Sequence, residues 1–176
     1  MKKETIKSAL LIMLILISQN LFAQNPASDF EFTIIEIDRV MITNYKGSNK
    51  NVIIPSRIGN MSVTAIGENA FQNKQITSVI IPNGVTNIGD YAFRNNQINE
   101  IVIPNSVTNI GQRAFAGNSL YNGITIGSNV TLGGGFLNGI SFNVGFELAY
   151  YRSGRTAGFY WPVGVSEDGY EFWGWR

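Results

Sequence analysis

Apolar positions in the middle of this chain recur with a period far longer than that of a helix or a strand. Laid over each other without a gap, residues 73–94 and 95–116 are identical at 13 of 22 positions. The shared skeleton is an Ile, then a short β-branched run closed by Pro, then Val-Thr-Asn-Ile-Gly, then Ala-Phe. In the first unit these are Ile76, Val79-Ile80-Ile81-Pro82, Val85-Thr86-Asn87-Ile88-Gly89 and Ala92-Phe93. The second repeats them as Ile98, Ile101-Val102-Ile103-Pro104, Val107-Thr108-Asn109-Ile110-Gly111 and Ala114-Phe115. Upstream, Val52-Ile53-Ile54-Pro55, Val63-Thr64-Ala65-Ile66-Gly67 and Ala70-Phe71 restate the skeleton with five extra residues between Pro and Ile-Gly. Downstream, Leu120, Ile124-Thr125-Ile126, Val130-Thr131 and Phe136 carry it on with one-residue slips. There are thus three good units and one degenerate one.

A fixed period of this size signals a solenoid, in which one coil cannot bury its apolar face alone and stacks on its neighbours. The β-branched run before each proline predicts a short parallel strand, ended by the N–H that proline lacks. Val-Thr-Asn-Ile-Gly predicts a second extended stretch, and Ala-Phe a single helical turn whose Phe plugs the interior. Ile76, Val79, Ile81, Val85, Ile88, Ala92 and Phe93 are the inward candidates of one coil. The many asparagines are expected at coil corners, where Asn tolerates left-handed backbone, rather than as a polar ligand ladder. The expected architecture is a β-rich leucine-rich repeat solenoid of about four coils, residues 52–132, preceded by a segment at 24–51 that leads into and caps the first coil.

These units resemble the BspA-like leucine-rich repeat family, whose pattern runs Leu-x-x-Ile-x-Ile-Pro-x-x-Val-Thr-x-Ile-Gly-x-x-Ala-Phe. The stretch Val40-Met41-Ile42-Thr43-Asn44-Tyr45-Lys46-Gly47 followed by Ile53-Ile54-Pro55-Ser56 also fits the family's first unit, so the resemblance spans about residues 30–132. The cysteine often found after Ala-Phe in that family is absent here. What the resemblance implies is an exported bacterial surface protein that takes part in adhesion to host matrix proteins, in coaggregation or in immune recognition.

Two flanks depart from the repeat. Residues 1–23 have a positive head with Lys2, Lys3 and Lys7, nine apolar residues from Ala9 to Ile17, and a small residue, Ala23. That is a secretory signal pattern with cleavage after Ala23; nine residues at 1.5 Å rise cover roughly half of a ~30 Å hydrocarbon layer, too few for a membrane span. Cell-surface or secreted location follows, with the periplasm as the alternative. Residues 133–176 carry 12 of the 21 aromatics and 10 of the 19 glycines. They predict an antiparallel hairpin of 146–151 with 156–161 around Arg152-Ser153-Gly154-Arg155, and a third extended piece from Tyr170 to Trp175 after the Ser166–Gly169 turn. Three roles are open for this region: a cap that covers the last coil, a signal for an export or sorting machine, or a sugar- or peptide-binding patch of Tyr160, Trp161, Trp173 and Trp175.

Composition narrows the chemistry. The 176 residues contain no His and no Cys, so the usual zinc, copper and haem ligand sets, disulfides, Cys nucleophiles and Ser-His-Asp triads cannot be built. With 13 basic against 12 acidic residues there is no basic field for a nucleic-acid backbone. Glu167-Asp168 are adjacent carboxylates in a turn context, and Gly133-Gly134-Gly135 lacks the lysine of a phosphate loop. Asn60-Met61-Ser62 and Asn129-Val130-Thr131 match glycosylation acceptors that a bacterial-type leader makes incidental. No catalytic residue, cofactor site or metal site is therefore expected, and the chain reads as a non-catalytic binder rather than a hydrolase. Strand alternation places Ile53, Ile80, Val102 and Thr125 in one outward column with Ser78 and Glu100 beside it. An apolar outward column is the candidate binding face for a protein or glycoprotein of host matrix or partner cell. The alternative is an envelope scaffold with no host ligand.

Overall fold

The computed structural model describes residues 24–134, 150, 154–165 and 171–175, the side chains of 161–165 and 171–175 excepted. A 3-10 turn at Ala27–Asp29 leads into an antiparallel hairpin, β1 (Phe30–Glu36) and β2 (Arg39–Tyr45). The coils follow. One flank of the stack is built from β5 (Met61–Ile66), β7 (Asn87–Ile88), β9 (Asn109–Ile110) and β11 (Thr131–Leu132), which run parallel to one another and to β2. These come from the Val-Thr-Asn-Ile stretches, and their partners Ala65, Asn87, Asn109 and Thr131 lie 22 residues apart.

The opposite flank is built from the β-branched runs: β3 (Asn51–Ile53), β6 (Ser78–Ile80), β8 (Glu100–Val102) and β10 (Gly123–Ile126). β3 pairs β6 and β8 pairs β10, both parallel. Each ladder stops short of the proline two positions on, and the chain turns there, with the Val85 amide bonded to the Pro82 carbonyl and the Val107 amide to that of Pro104. The five extra residues of the early unit form a hairpin of their own. Here β4 (Arg57–Ile58) pairs antiparallel with β5 about Gly59 and Asn60, with Gly59 in the left-handed region. The downstream slip is visible as Glu100 facing Gly123, a register of 23.

All seven inward candidates of the 76–93 coil are buried. Successive Phe plugs stack: ring centroids are 4.8 Å apart for Phe71 and Phe93 and 5.0 Å for Phe93 and Phe115. Tyr45 extends the column to the first coil at 5.5 Å and Phe30 closes it at 5.4 Å from Tyr45. The Ala-Phe stretch forms turns rather than the expected helical turn. Its amides alternate between two uses: Phe71 N–H donates to Ala92 O, Phe93 N–H to Ala114 O and Asn95 N–H to Ala116 O in the next coil, while the Ala70, Ala92 and Ala114 amides bond back three residues to the carbonyls of Gly67, Gly89 and Gly111, so each stretch closes as a turn without continuing into a helix.

Close approach of the coils depends on the Gly of Ile-Gly. A Cβ on Gly89 would lie 2.8 Å from the Glu68 amide nitrogen, and one on Gly111 2.5 Å from that of Asp90. Buried asparagines bond the coils as well. Asn96 Nδ2 donates to the carbonyls of Phe71 and Phe93, both at 2.8 Å, while its Oδ1 accepts the amides of Lys74 and Ile76. Asn118 repeats the arrangement one coil later, donating to Phe93 and Phe115.

Both ends of the β3–β6 and β8–β10 flank are covered. At the start, Asn25 lies along β3, its Oδ1 accepting the Ile53 amide at 2.8 Å and its own amide donating to Ile53 O. At the other end β12 (Gly158–Val165) pairs antiparallel with the free edge of β10, and β13 (Glu171–Trp175) pairs antiparallel with β12. The expected meander is therefore present for β12 and β13. Of the first arm of the expected 146–161 hairpin only Tyr150 is described, and it is helical rather than extended, while the second arm pairs with β10 and β13 in its place; residues 146–149 and 151–153, the 166–169 turn with Glu167 and Asp168, the leader and Phe136 lie outside the described residues. No helix among the described residues is long and apolar enough to cross a membrane.

Candidate binding face

The predicted outward column sits on the β3–β6 and β8–β10 flank. Its two ends are half-buried: Ile53 beneath the Asn25 bracket, and Thr125 where β12 pairs along β10 with Phe159 opposite it. The middle is open. Ser78 and Glu100 are exposed, and Ile80 and Val102 keep 50% and 56% of their surface in water. Val79 and Ile101, next to them in sequence, point into the core and are buried, as period-two alternation requires.

The flank is not the continuous sheet expected from the repeat. β3–β6 and β8–β10–β12–β13 are separate sheets, with no strand pairing between β6 and β8. The two strands remain neighbours and their coils are bonded on either side of this seam: the Gln97 amide donates to Ile76 O at 2.7 Å, and Asn87 and Ile88 pair with Asn109 and Ile110 on the far flank. Over this seam lies a groove of about 410 Å3. Ile80 and Val102 form its apolar walls, with Ser78, Asn83, Asn99 and Glu100 at its rim. Asn83 and Asn99 were not in the column read from sequence. They lie just outside the strands, Asn99 directly before Glu100 of β8 and Asn83 directly after Pro82.

The aromatic alternative loses one member. Tyr160 is buried, with its hydroxyl donating to Thr156 O at 2.7 Å and its ring 5.7 Å from that of Tyr150. It faces inward because β12 is docked on β10 opposite Ile124, so Tyr160 serves the core and not an exposed patch. Trp161 lies on β12, Trp173 and Trp175 on β13, and their side chains are outside the described part. Tyr150 contributes to the same junction, its hydroxyl donating to Gly127 O and accepting the Val130 amide. Burial pushes the Tyr150 hydroxyl pKa above its ordinary value, as it does for Tyr45 at the opposite end of the stack.

Among the described residues no three His, Cys, Asp or Glu side chains converge on a point that could hold a metal ion. Parallel short strands, inward Ile/Val/Phe columns and an exposed strand flank define a leucine-rich β-solenoid, an architecture typical of protein-interaction scaffolds. Residues 37–141 match the family described as BspA type leucine-rich repeat region (6 copies), and the chain belongs to that family. A solved structure, the leucine-rich repeat protein of T. pallidum, is similar at 21% identity with a TM-score of 0.49, over 66% of this chain and 67% of that one. No curated protein matches the chain.

Proposed function

We propose that the chain is exported and acts, without catalysis, as a binder of proteins or glycoproteins at the cell surface, on host matrix or on partner cells. The single observation that carries this is the exposed pair Ile80 and Val102 flanking a groove on the strand side of coils whose inward columns are buried; the other exposed aliphatics, Ile34, Ile35 and Ile37, belong to the β1–β2 hairpin and its turn, outside this flank. Side chains of this kind left in water on a rigid face mark interaction sites. The secretory pattern of residues 1–23 and the family's typical surface or secreted location support the placement.

The test is capture. The immobilised chain is presented with matrix proteins and partner-cell extracts, beside the double variant Ile80→Asp with Val102→Asp. Capture is expected for the parent and lost in the variant, with the circular dichroism unchanged. Capture retained by the variant would transfer the activity to the aromatic C-terminal region. Surface proteolysis of intact cells addresses location. Digestion before the envelope is breached is the expected result, and protection until breach would favour the envelope-scaffold role.

A further inference from the structure

Resting on the strand-face function proposed above, we infer that the groove over β6 and β8 is a recognition cleft for one kind of partner segment: an extended stretch in which an aliphatic side chain is followed closely by arginine or lysine. Three observations converge on this. The first is the broken ladder. Elsewhere on this flank neighbouring strands share ladder hydrogen bonds, but β6 and β8 lie side by side without them, and the groove over this seam is walled by Ile80 and Val102, matched to an aliphatic side chain.

The second is charge. β3, β6, β8 and β10 together carry a single ionisable side chain, Glu100, and it stands at the rim of this groove. Its carboxylate has no ion-pair or hydrogen-bond partner among the described residues, whereas Glu31 and Glu36 on β1 are paired with Lys46 and Arg39. One unpaired anion on an otherwise neutral apolar face selects a cation, and arginine offers a carboxylate two parallel donors.

The third is the remaining rim. Asn83 and Asn99 are exposed, line the groove and make no side-chain hydrogen bond among the described residues. Their amides carry both donors and acceptors, as the main chain of an extended segment requires.

The experiment uses the full chain and labelled hexapeptides of alternating valine and arginine, with counterparts in which arginine is replaced by glutamate or by citrulline. Binding is read by fluorescence polarisation and by amide shifts in two-dimensional NMR. The arginine peptide is expected to shift Ile80, Glu100 and Val102, and to bind at least tenfold more tightly than the glutamate peptide. Glu100→Gln should remove most of that preference and Glu100→Arg should reverse it, and rising salt should weaken the parent alone. Equal affinity for all peptides, no binding, or shifts away from the groove would overturn the cleft. If protein capture still depends on Ile80 and Val102 in that case, the strand-face function stands and only the basic-apolar specificity fails. If capture is indifferent to that pair, the strand-face function itself fails.

Discussion

Individual residues show how far the repeat is tuned and where it is strained. Asn69, Tyr91 and Arg113 occupy the same place in successive coils, and all three have left-handed backbone, with φ of 57°, 56° and 52°. Asn accepts this conformation readily; Tyr and Arg adopt it against their Cβ sterics. Arg113→Asn is therefore expected to stabilise the chain by up to ~1 kcal/mol, visible as a rise of about 2–4 °C in the melting temperature. An unchanged or lower midpoint would show that Arg113 gains elsewhere what it loses in its backbone. At this scale the sequence was legible for corners, since Asn73, Asn95 and Asn129 do take left-handed backbone. It was not legible for Asn96 and Asn118. Nothing in their spacing separates a corner amide from one buried between coils, because the acceptors they reach, such as Phe71 O and Phe93 O, are backbone atoms without a sequence signature.

Elements gain their stability from the coil above and the coil below. Phe93 lies between Phe71 and Phe115 in the ring stack and is fully buried. Phe93→Ala leaves a ring-sized void that neither neighbour can fill without sliding its own coil, so a loss of about 3–5 kcal/mol is expected in denaturant unfolding. A loss below ~1 kcal/mol would mean that the coils collapse onto the gap and that the plug is dispensable. The strands, their prolines and the inward columns were all visible in the 22-residue pattern, because each depends on local propensity and period. The missing ladder between β6 and β8 was not. Both strands are β-branched, precede an Ile-Pro and sit 22 residues apart like the paired strands of the other flank, so the pattern carries no mark of the missing ladder. The expected binding column was correspondingly located without its narrowing to Ser78, Ile80, Glu100 and Val102. That narrowing comes from Asn25 at one end and β12 at the other, both distant in sequence.

Among the described residues the first and last coils of the stack are each tied by a buried tyrosine. Tyr45 bonds the Asn49 carbonyl and meets Asn25 Nδ2 in the first coil; Tyr150 bridges Gly127 and Val130 in the last. Burial raises both hydroxyls above the ordinary value of 10.0, so the folded form holds its proton longer than the unfolded chain does. Their contribution is complete below pH 10.0, the unfolded value, and is lost as the pH climbs through the raised folded values. Alkaline titration followed by tyrosinate absorbance should show the two ionising late and together with unfolding; ionisation of every tyrosine near 10.0 while circular dichroism stays constant would contradict their burial. Under the proposed function this stack presents its β3–β6 and β8–β10 flank to a protein partner. Amide hydrogen exchange of the chain, alone and with the matrix protein it captures most strongly, tests that claim most directly. Protection is expected to rise at residues 78–83 and 99–104 and to stay level across β5, β7, β9 and β11; protection confined to β12 and β13, or to the opposite flank, would contradict it.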